Sequence, residues 1–103
     1  QKSSISKIII AYEPIWAISS TPNRKDATAN DSQEMAIFIR KVLSDKFGGE
    51  AAKVRIIYGG SVTEKDAGDF LQNGGVDGLL PGRASLEAKK FVEIIKTCEA
   101  LSK

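Results

Sequence analysis

Three apolar, β-rich runs, each followed by a segment with helical periodicity, constrain the fold of this chain more than any other feature of its sequence. The runs extend over about Lys7 to Tyr12, Val54 to Tyr58 and Val76 to Leu80. None of them alternates between apolar and polar residues, which is typical of strands covered on both faces, as in a parallel sheet. The chain is therefore predicted to be an α/β protein of order βαβαβα, with parallel strands joined by right-handed crossovers.

The segments that follow the three runs are predicted to be helices. A long polar stretch, Ser19 to Ala29, is predicted to be a loop, and Asp31 followed by Glu34 resembles a capping box that opens the first helix. Gly48 is predicted to end that helix, and Thr63 to cap the second one. Two apolar stripes at helical spacing are predicted to face the core, one on the first helix and one on the last: Met35, Phe38, Ile39, Val42 and Leu43, and Phe91, Ile94, Ile95, Cys98 and Leu101.

Two closures of the sheet fit this pattern, an open doubly wound sheet or a sector of a (β/α)8 barrel. Local sequence does not separate the two. In both folds, reactive groups gather at the carboxyl ends of the strands. Glu13 and the two glycine-containing turns, 58–61 and 82–85, fall at those ends.

Composition excludes several classes of function. The 103 residues are 42% hydrophobic and 27% charged, as in an ordinary globular domain or part of one, and no apolar run or N-terminal signal suggests a membrane span or secretion. A net charge of +2 with scattered lysines argues against nucleic-acid binding. The single Cys98, expected to be a packed core thiol, suits a reducing compartment, and the absence of histidine excludes Ser-His or Cys-His nucleophiles and histidine-ligated metal.

Glu13 is the ionisable group in an otherwise apolar segment, 8–18. If the following loop folds over it, desolvation raises its affinity for a proton and suits it to general-base work near neutral pH. The alternative is an acid that pairs with a lysine or a backbone amide at the rim of the sheet.

The two turns after the second and third runs are candidates for anion binding. Glycine lets the backbone approach a ligand closely, and exposed amides favour a phosphate. Each turn alone could be a simple tight turn. Two such turns at adjacent strand ends favour a shared phosphate, which is a recurrent arrangement in (β/α)8 barrels.

The loop after Trp16 is longer than usual connections of about 2–6 residues, and such loops are often lids. Pro14 and Trp16 are expected to stiffen its base and to supply a buried anchor. A surface insertion is the alternative.

Three blocks of sequence resemble the triosephosphate isomerase family. They are AYEPIWAI at 11–18, YGGSV at 58–62 and VDGLLPGRASL at 76–86, in the order and with the separations of that family. The resemblance extends from about Ile5 to the C-terminus and corresponds to the last three of the eight βα units of the family's barrel. Residues 1–103 are thus expected to be a single C-terminal segment of a TIM barrel, from strand 6 to helix 8.

The resemblance implies a cytoplasmic aldose-ketose isomerase of glycolysis and gluconeogenesis that interconverts dihydroxyacetone phosphate and glyceraldehyde 3-phosphate without a cofactor or metal. Glu13 would be the base that moves a proton between two substrate carbons, in an apolar setting that excludes water. The family's phosphate-binding amides correspond to Ser19, Ser61, Gly82 and Arg83. Its lid corresponds to Pro14, Trp16 and Ala27, with the Tyr58 hydroxyl holding the closed lid near Ala27.

The chain departs from the family pattern in three respects. Residues 19–24 replace a shorter Gly-Thr-Gly hinge, and Arg83 replaces the second glycine of a phosphate turn, which keeps the N–H and adds a cation. The family's asparagine, lysine and electrophilic histidine on earlier strands lie outside this chain, and no histidine here replaces the last. The chain alone is therefore predicted to be inactive.

A three-stranded sector of a barrel has two open edges and an uncovered inner face, expected at Ile8, Ile10 and Leu80 or their neighbours of opposite parity. The chain is accordingly expected to form a homo-oligomer or to pair with a complementary N-terminal barrel fragment. The alternative function is a non-catalytic phosphate-binding or self-assembling barrel fragment. An open-sheet nucleotide binder is disfavoured because no Gly-x-Gly-x-x-Gly or Gly-Lys-Ser/Thr loop occurs.

Overall fold

The computed structural model describes residues 2–17, 22 and 26–102. Its strands and helices follow one another as β1 (Ile9–Tyr12), α1 (Ala29–Phe47), β2 (Arg55–Gly60), α2 (Ala67–Asn73), β3 (Gly78–Pro81) and α3 (Ala88–Leu101). Short 3-10 segments lie at Lys2–Lys7, Ile15–Ala17, Gly48–Lys53 and Arg83–Leu86. The strands form one parallel sheet in the order β1-β2-β3, so the predicted βαβαβα order and parallel pairing are confirmed.

The sheet has one covered and one uncovered face, because successive side chains of a strand point to opposite sides. On the covered face, side chains from all three strands pack into the core against the helices: Ile10, Tyr12, Ile56, Tyr58 and Leu79. The other face carries Ile9, Ala11, Arg55 and Leu80, which are exposed. Of the two parities left open, β1 places Ile9 and Ala11, and not Ile10, on the uncovered face, and β3 places Leu80 there.

Small residues on the helices let them approach the sheet closely. The buried positions of α1 are Ala29, Ser32 and Ala36, and the Ser32 hydroxyl donates a 2.9 Å hydrogen bond to the Gly74 carbonyl at the end of α2. The predicted stripes are only partly correct. Ile39, Ile94 and Cys98 pack against or within the core, whereas four of the larger apolar side chains are exposed on the flanks of the helices: Phe38, Val42, Phe91 and Ile95.

Two helix starts differ from the sequence prediction. The capping box of α1 is formed by Thr28 and Asp31, whose side chains each accept a hydrogen bond from the other's backbone N–H, at 3.1 and 2.9 Å. Asp31 is thus the third residue of the helix and not its cap. Thr63 opens a separate turn, since its hydroxyl accepts from the Lys65 N–H, and α2 begins only at Ala67. Gly48 ends α1 with φ of 65°, as predicted.

A polar cluster fixes the amino ends of β2 and β3 against α1. One carboxylate oxygen of Asp77 accepts from the Ile56 N–H at 2.9 Å and from Arg40 Nη2 at 3.0 Å. Arg40 Nη1 also donates to the Val54 carbonyl at 3.1 Å. These bonds set the alignment of β2 and β3 and therefore the relative position of the turns at their carboxyl ends. No helix in the described ranges is long and apolar enough to cross a bilayer.

Candidate functional site

Glu13 follows the last residue of β1 and lies across Gly59 of the neighbouring strand. A Cβ atom built on Gly59 would lie 2.8 Å from Glu13 Cγ, 3.4 Å from the carboxyl carbon and 3.5 Å from Leu80 Cβ. The side chain of Glu13 thus occupies space that any other residue at position 59 would fill. The structure thereby brings the candidate base to the carboxyl end of β2, on the uncovered face of the sheet.

The two glycine-containing turns lie side by side. Gly60 is paired with Pro81 in the sheet, and a Cβ atom on Gly82 would lie 3.5 Å from the Gly60 carbonyl oxygen. The carbonyl of each glycine is engaged within its own turn, because Val62 N–H donates to Gly60 at 3.0 Å and Ser85 N–H donates to Gly82 at 3.0 Å. The two turns are therefore adjacent at one edge of the sheet, with Glu13 beside Gly59 of the first turn, and their convergence on one phosphate stays a prediction.

The segment after Glu13 is anchored to the first of these turns. Pro14 is buried and its carbonyl accepts from the Ala17 N–H at 2.9 Å, which closes the 3-10 turn Ile15–Ala17. The Ser61 hydroxyl donates to the Ala17 carbonyl at 3.2 Å. Ala17, and not Trp16, is the buried residue of this turn; Trp16 is 42% exposed, so the expectation of a tryptophan anchor was wrong for this chain.

Most of the predicted lid, 18–21 and 23–25, lies outside the described residues, and so does the proposed phosphate ligand Ser19. Ala27, at the far end of the loop, is buried in the same apolar cluster as Tyr58 and Ala17. Both ends of the loop are thus attached to the body of the protein next to the carboxyl end of β2.

Tyr58 lies fully buried beneath the site. Its ring stacks on Phe70, with centroids 4.4 Å apart, and meets Tyr12 edge to face at 6.2 Å. Among the residues that the structure describes, the hydroxyl has no hydrogen-bond partner, so the partner expected near Ala27 is not seen. Burial, with smaller contributions from Tyr12 and nearby carboxylates, raises the pKa of Tyr58 to about 12, which keeps the hydroxyl protonated as a donor.

The expected dry setting of Glu13 is not present in this chain, because its side chain is exposed. The physical reason is the uncovered face on which it lies: the helices pack on the other side of the sheet. Exclusion of water from Glu13 therefore requires a structure that covers this face.

Arg83 opens the short 3-10 segment after Gly82, and its side chain is exposed. A 3-10 turn has negative φ, so an arginine fits here without the strain that a left-handed backbone would impose. The described residues contain no group of three or more carboxylate or thiol side chains suited to a metal ion.

Two residues of the site were missed in the sequence. Gly59 was treated as a glycine that frees the turn for a ligand, whereas its contact is with Glu13. Ala17 was missed because it has no polar side chain, and it takes part through its backbone carbonyl, which accepts from the Ser61 hydroxyl. The adjacent glycines at 59 and 60 indicated that another group approaches the backbone closely, but the sequence did not indicate that this group is the Glu13 side chain.

Comparison with known proteins agrees with this geometry. The family model described as triosephosphate isomerase matches residues 1–98. Triosephosphate isomerases of Yarrowia lipolytica and Bradyrhizobium sp. are 50% identical over 92 residues and 42% identical over 100 residues, covering 89% and 95% of this chain. The crystal structure of triosephosphate isomerase from Bartonella henselae superposes with a TM-score of 0.76 at 40% identity, covering 92% of the chain.

The chain spans only part of these relatives, 36% and 38% of the two sequences and 37% of the solved chain. The three parallel strands and their helices are thus a partial TIM barrel, and the choice left open between a barrel sector and an open doubly wound sheet is settled in favour of the barrel. The match covers nearly all of the chain, at identities well above those that show a fold alone. This chain belongs to the triosephosphate isomerase family.

Proposed function

We propose that this chain supplies the base and the phosphate-binding turns of a triosephosphate isomerase, as a single C-terminal segment of the barrel. The reaction is the interconversion of dihydroxyacetone phosphate and glyceraldehyde 3-phosphate. Glu13 removes a proton from the carbon next to the substrate carbonyl and returns it to the neighbouring carbon. Ser61, Gly82 and Arg83 bind the phosphate through their amides, and Ser19 adds a further amide from the lid.

The observation that carries this proposal is the contact of Glu13 with Gly59. The contact brings a carboxylate at the end of β1 next to the first of two turns that lie side by side at Gly60 and Gly82. A triose phosphate is short, so a base and a phosphate site that serve one substrate must be close neighbours. The side-by-side turns and the adjacent carboxylate meet that requirement.

The Tyr58 hydroxyl fits a role in lid closure. It is a buried donor without a partner among the described residues. A hydrogen bond to an approaching group would remove the cost of leaving this hydroxyl unsatisfied and so stabilise the closed state. The expected partner of this hydroxyl lies in the loop segment next to Ala27, because both ends of the loop pack in the same apolar cluster as Tyr58.

The 103 residues alone are proposed to be inactive. Glu13 is exposed here, and the sequence has no histidine that could polarise the substrate carbonyl. Activity requires the remaining βα units of the barrel, which would cover the face that carries Ile9 and Leu80.

Reassembly of the barrel tests the proposal. The chain is mixed with a recombinant N-terminal portion of a triosephosphate isomerase barrel, and isomerase activity is measured with the mixture and with each part alone. Activity is expected only in the mixture, and Glu13→Gln should lower it by about 10²- to 10⁴-fold, the usual contribution of a general base. Glu93→Gln, an exposed carboxylate on α3 that pairs with Lys96, is the matched control.

A non-catalytic assembly module is the second candidate, favoured by the apolar residues exposed on the open face of the sheet. It predicts a stable complex with the N-terminal portion but no regained turnover. A mixture that co-migrates as one species and stays inactive would support this second function and contradict the first.

A further inference from the structure

We propose that the Arg83 side chain, and not only its backbone amide, binds the substrate phosphate and makes binding to this chain dependent on ionic strength. This inference rests on the proposed function and adds a charged residue to the phosphate site formed by the two turns. The ligand class is a phosphate monoester or inorganic phosphate, which carries close to two negative charges at neutral pH.

Arg83 directly follows Gly82, where a Cβ atom would lie 3.5 Å from the Gly60 carbonyl oxygen, so Arg83 is one residue from the place where the two turns adjoin. Consecutive Cα atoms are about 3.8 Å apart, and an arginine side chain is long enough to reach back across that distance. The guanidinium is therefore within reach of an anion bound to either turn.

Arg83 is exposed and forms no ion pair or side-chain hydrogen bond with any residue that the structure describes. Several other basic side chains of the described chain are paired with carboxylates: Arg40, Lys41, Lys53, Lys90 and Lys96. The described part of the chain thus provides no partner for the Arg83 guanidinium.

A guanidinium presents a planar fork of donors that matches two oxygens of a phosphate, and it stays charged at all relevant pH values. The two turns contribute neutral amides, whose attraction for an anion depends weakly on salt. An exposed arginine adds a Coulombic attraction that salt screens over about 10 Å at 0.1 M.

Arg55 provides a matched control within the same sheet. It is an exposed arginine on the uncovered face, at the amino end of β2, whereas the turn lies at the carboxyl end of that strand. At about 3.3 Å per residue, the strand separates Arg55 from Gly60 by roughly 16 Å. Removing either arginine changes the net charge equally, so only a local contact distinguishes them.

The test is titration of the 103-residue chain with inorganic phosphate, followed by calorimetry or phosphorus NMR, at low and at raised salt. We expect Arg83→Ala to weaken phosphate binding roughly fivefold to tenfold at low salt and to flatten its salt dependence. Arg83→Lys should restore part of the affinity, because it keeps the charge but not the fork. Arg55→Ala should bind phosphate as the unsubstituted chain does.

Equal affinity of the Arg83→Ala and unsubstituted chains, equal losses from Arg83→Ala and Arg55→Ala, or no phosphate binding by the unsubstituted chain would each overturn the inference. A circular dichroism spectrum of each variant identifies loss of fold. If Arg83→Ala is misfolded, Arg83→Gln replaces it in the titrations, because it keeps a long polar side chain without the charge, and the same loss of phosphate affinity is expected. The isomerase proposal is decided separately, by the activity of the reassembled barrel.

Discussion

Gly59 is the residue on which the position of Glu13 depends. A Cβ at this position would lie 2.8 Å from Glu13 Cγ, so Gly59→Ala must displace the glutamate side chain. Because misplacement of a reacting group by about 1 Å can cost roughly 100-fold, we expect at least a tenfold loss of activity in the reassembled barrel. Circular dichroism should show an intact fold, since Glu13 is exposed and can move.

Gly49→Ala is the control for that substitution. A Cβ there meets nothing within 4 Å and the backbone is not left-handed, so activity and stability should change little. Full activity of Gly59→Ala would show that catalysis does not depend on the position of the Glu13 side chain against β2.

The raised pKa of Tyr58 predicts how the free energy of unfolding depends on pH. Its pKa is raised from 10.0 to about 12, so between these values the folded chain keeps a proton that the unfolded chain has lost. The stabilising effect of this proton is complete below pH 10 and is lost as pH rises toward 12. Denaturant titrations at pH 9 and pH 11 should show a fall in the free energy of unfolding that is smaller in Tyr58→Phe.

At neutral pH the same substitution should stabilise the isolated chain by about 1 kcal/mol, because it removes a buried hydroxyl without a partner among the described residues. In the reassembled barrel it should instead lower activity, because it removes the hydroxyl that we propose holds the closed lid. An unchanged pH dependence and unchanged activity would together contradict the role given to this hydroxyl.

At the scale of elements, the contact of α1 with the sheet depends on Asp77. One of its oxygens accepts from both Ile56 N–H and Arg40. Asp77→Asn keeps the shape but weakens two charge-assisted bonds, so we expect a loss of about 1–3 kcal/mol in the free energy of unfolding. Asp45→Asn, in an exposed pair with Lys41, should change it by less than about 0.5 kcal/mol. Equal effects of the two substitutions would contradict the structural role of the cluster.

The elements themselves were largely predictable, and the exceptions have physical causes. Apolar runs without alternation indicated the strands, because both faces of a barrel strand are buried in the complete fold. The prediction of core-facing stripes was wrong for Phe38 and Phe91, which are exposed. Sequence periodicity identifies the apolar face of a helix but not which part of that face packs against the sheet. The start of α1 was misplaced because Asp31 can serve as a cap or as the partner of a cap, and Thr28 decides between the two.

At the scale of the whole molecule, the uncovered face of the sheet determines behaviour in solution. Ile9 and Leu80 are 50% and 45% exposed on this face, beside strand edges that pair with no described residue. Open parallel edges and an apolar face favour association. Sedimentation equilibrium of the chain should therefore give a mass above 11.1 kDa at micromolar concentrations.

Leu80→Lys should shift this equilibrium toward the monomer, whereas Ser44→Lys, an exposed site on α1, should leave it unchanged. A single 11.1 kDa species with a sharp thermal transition in the unsubstituted chain would show that the open face needs no cover. The same face accounts for the site residue that sequence reasoning described least well. Glu13 was placed correctly at a strand end, but it is exposed because no described element covers this face of the sheet.

Solvent deuterium exchange tests whether Glu13 carries a proton between two carbons of a triose phosphate. In the reassembled barrel in deuterium oxide, a proton taken by a carboxylate can exchange before it returns. We expect the product to carry deuterium on the carbon next to its carbonyl, and Glu13→Gln to abolish this incorporation. Incorporation at an unchanged rate in Glu13→Gln would contradict the account.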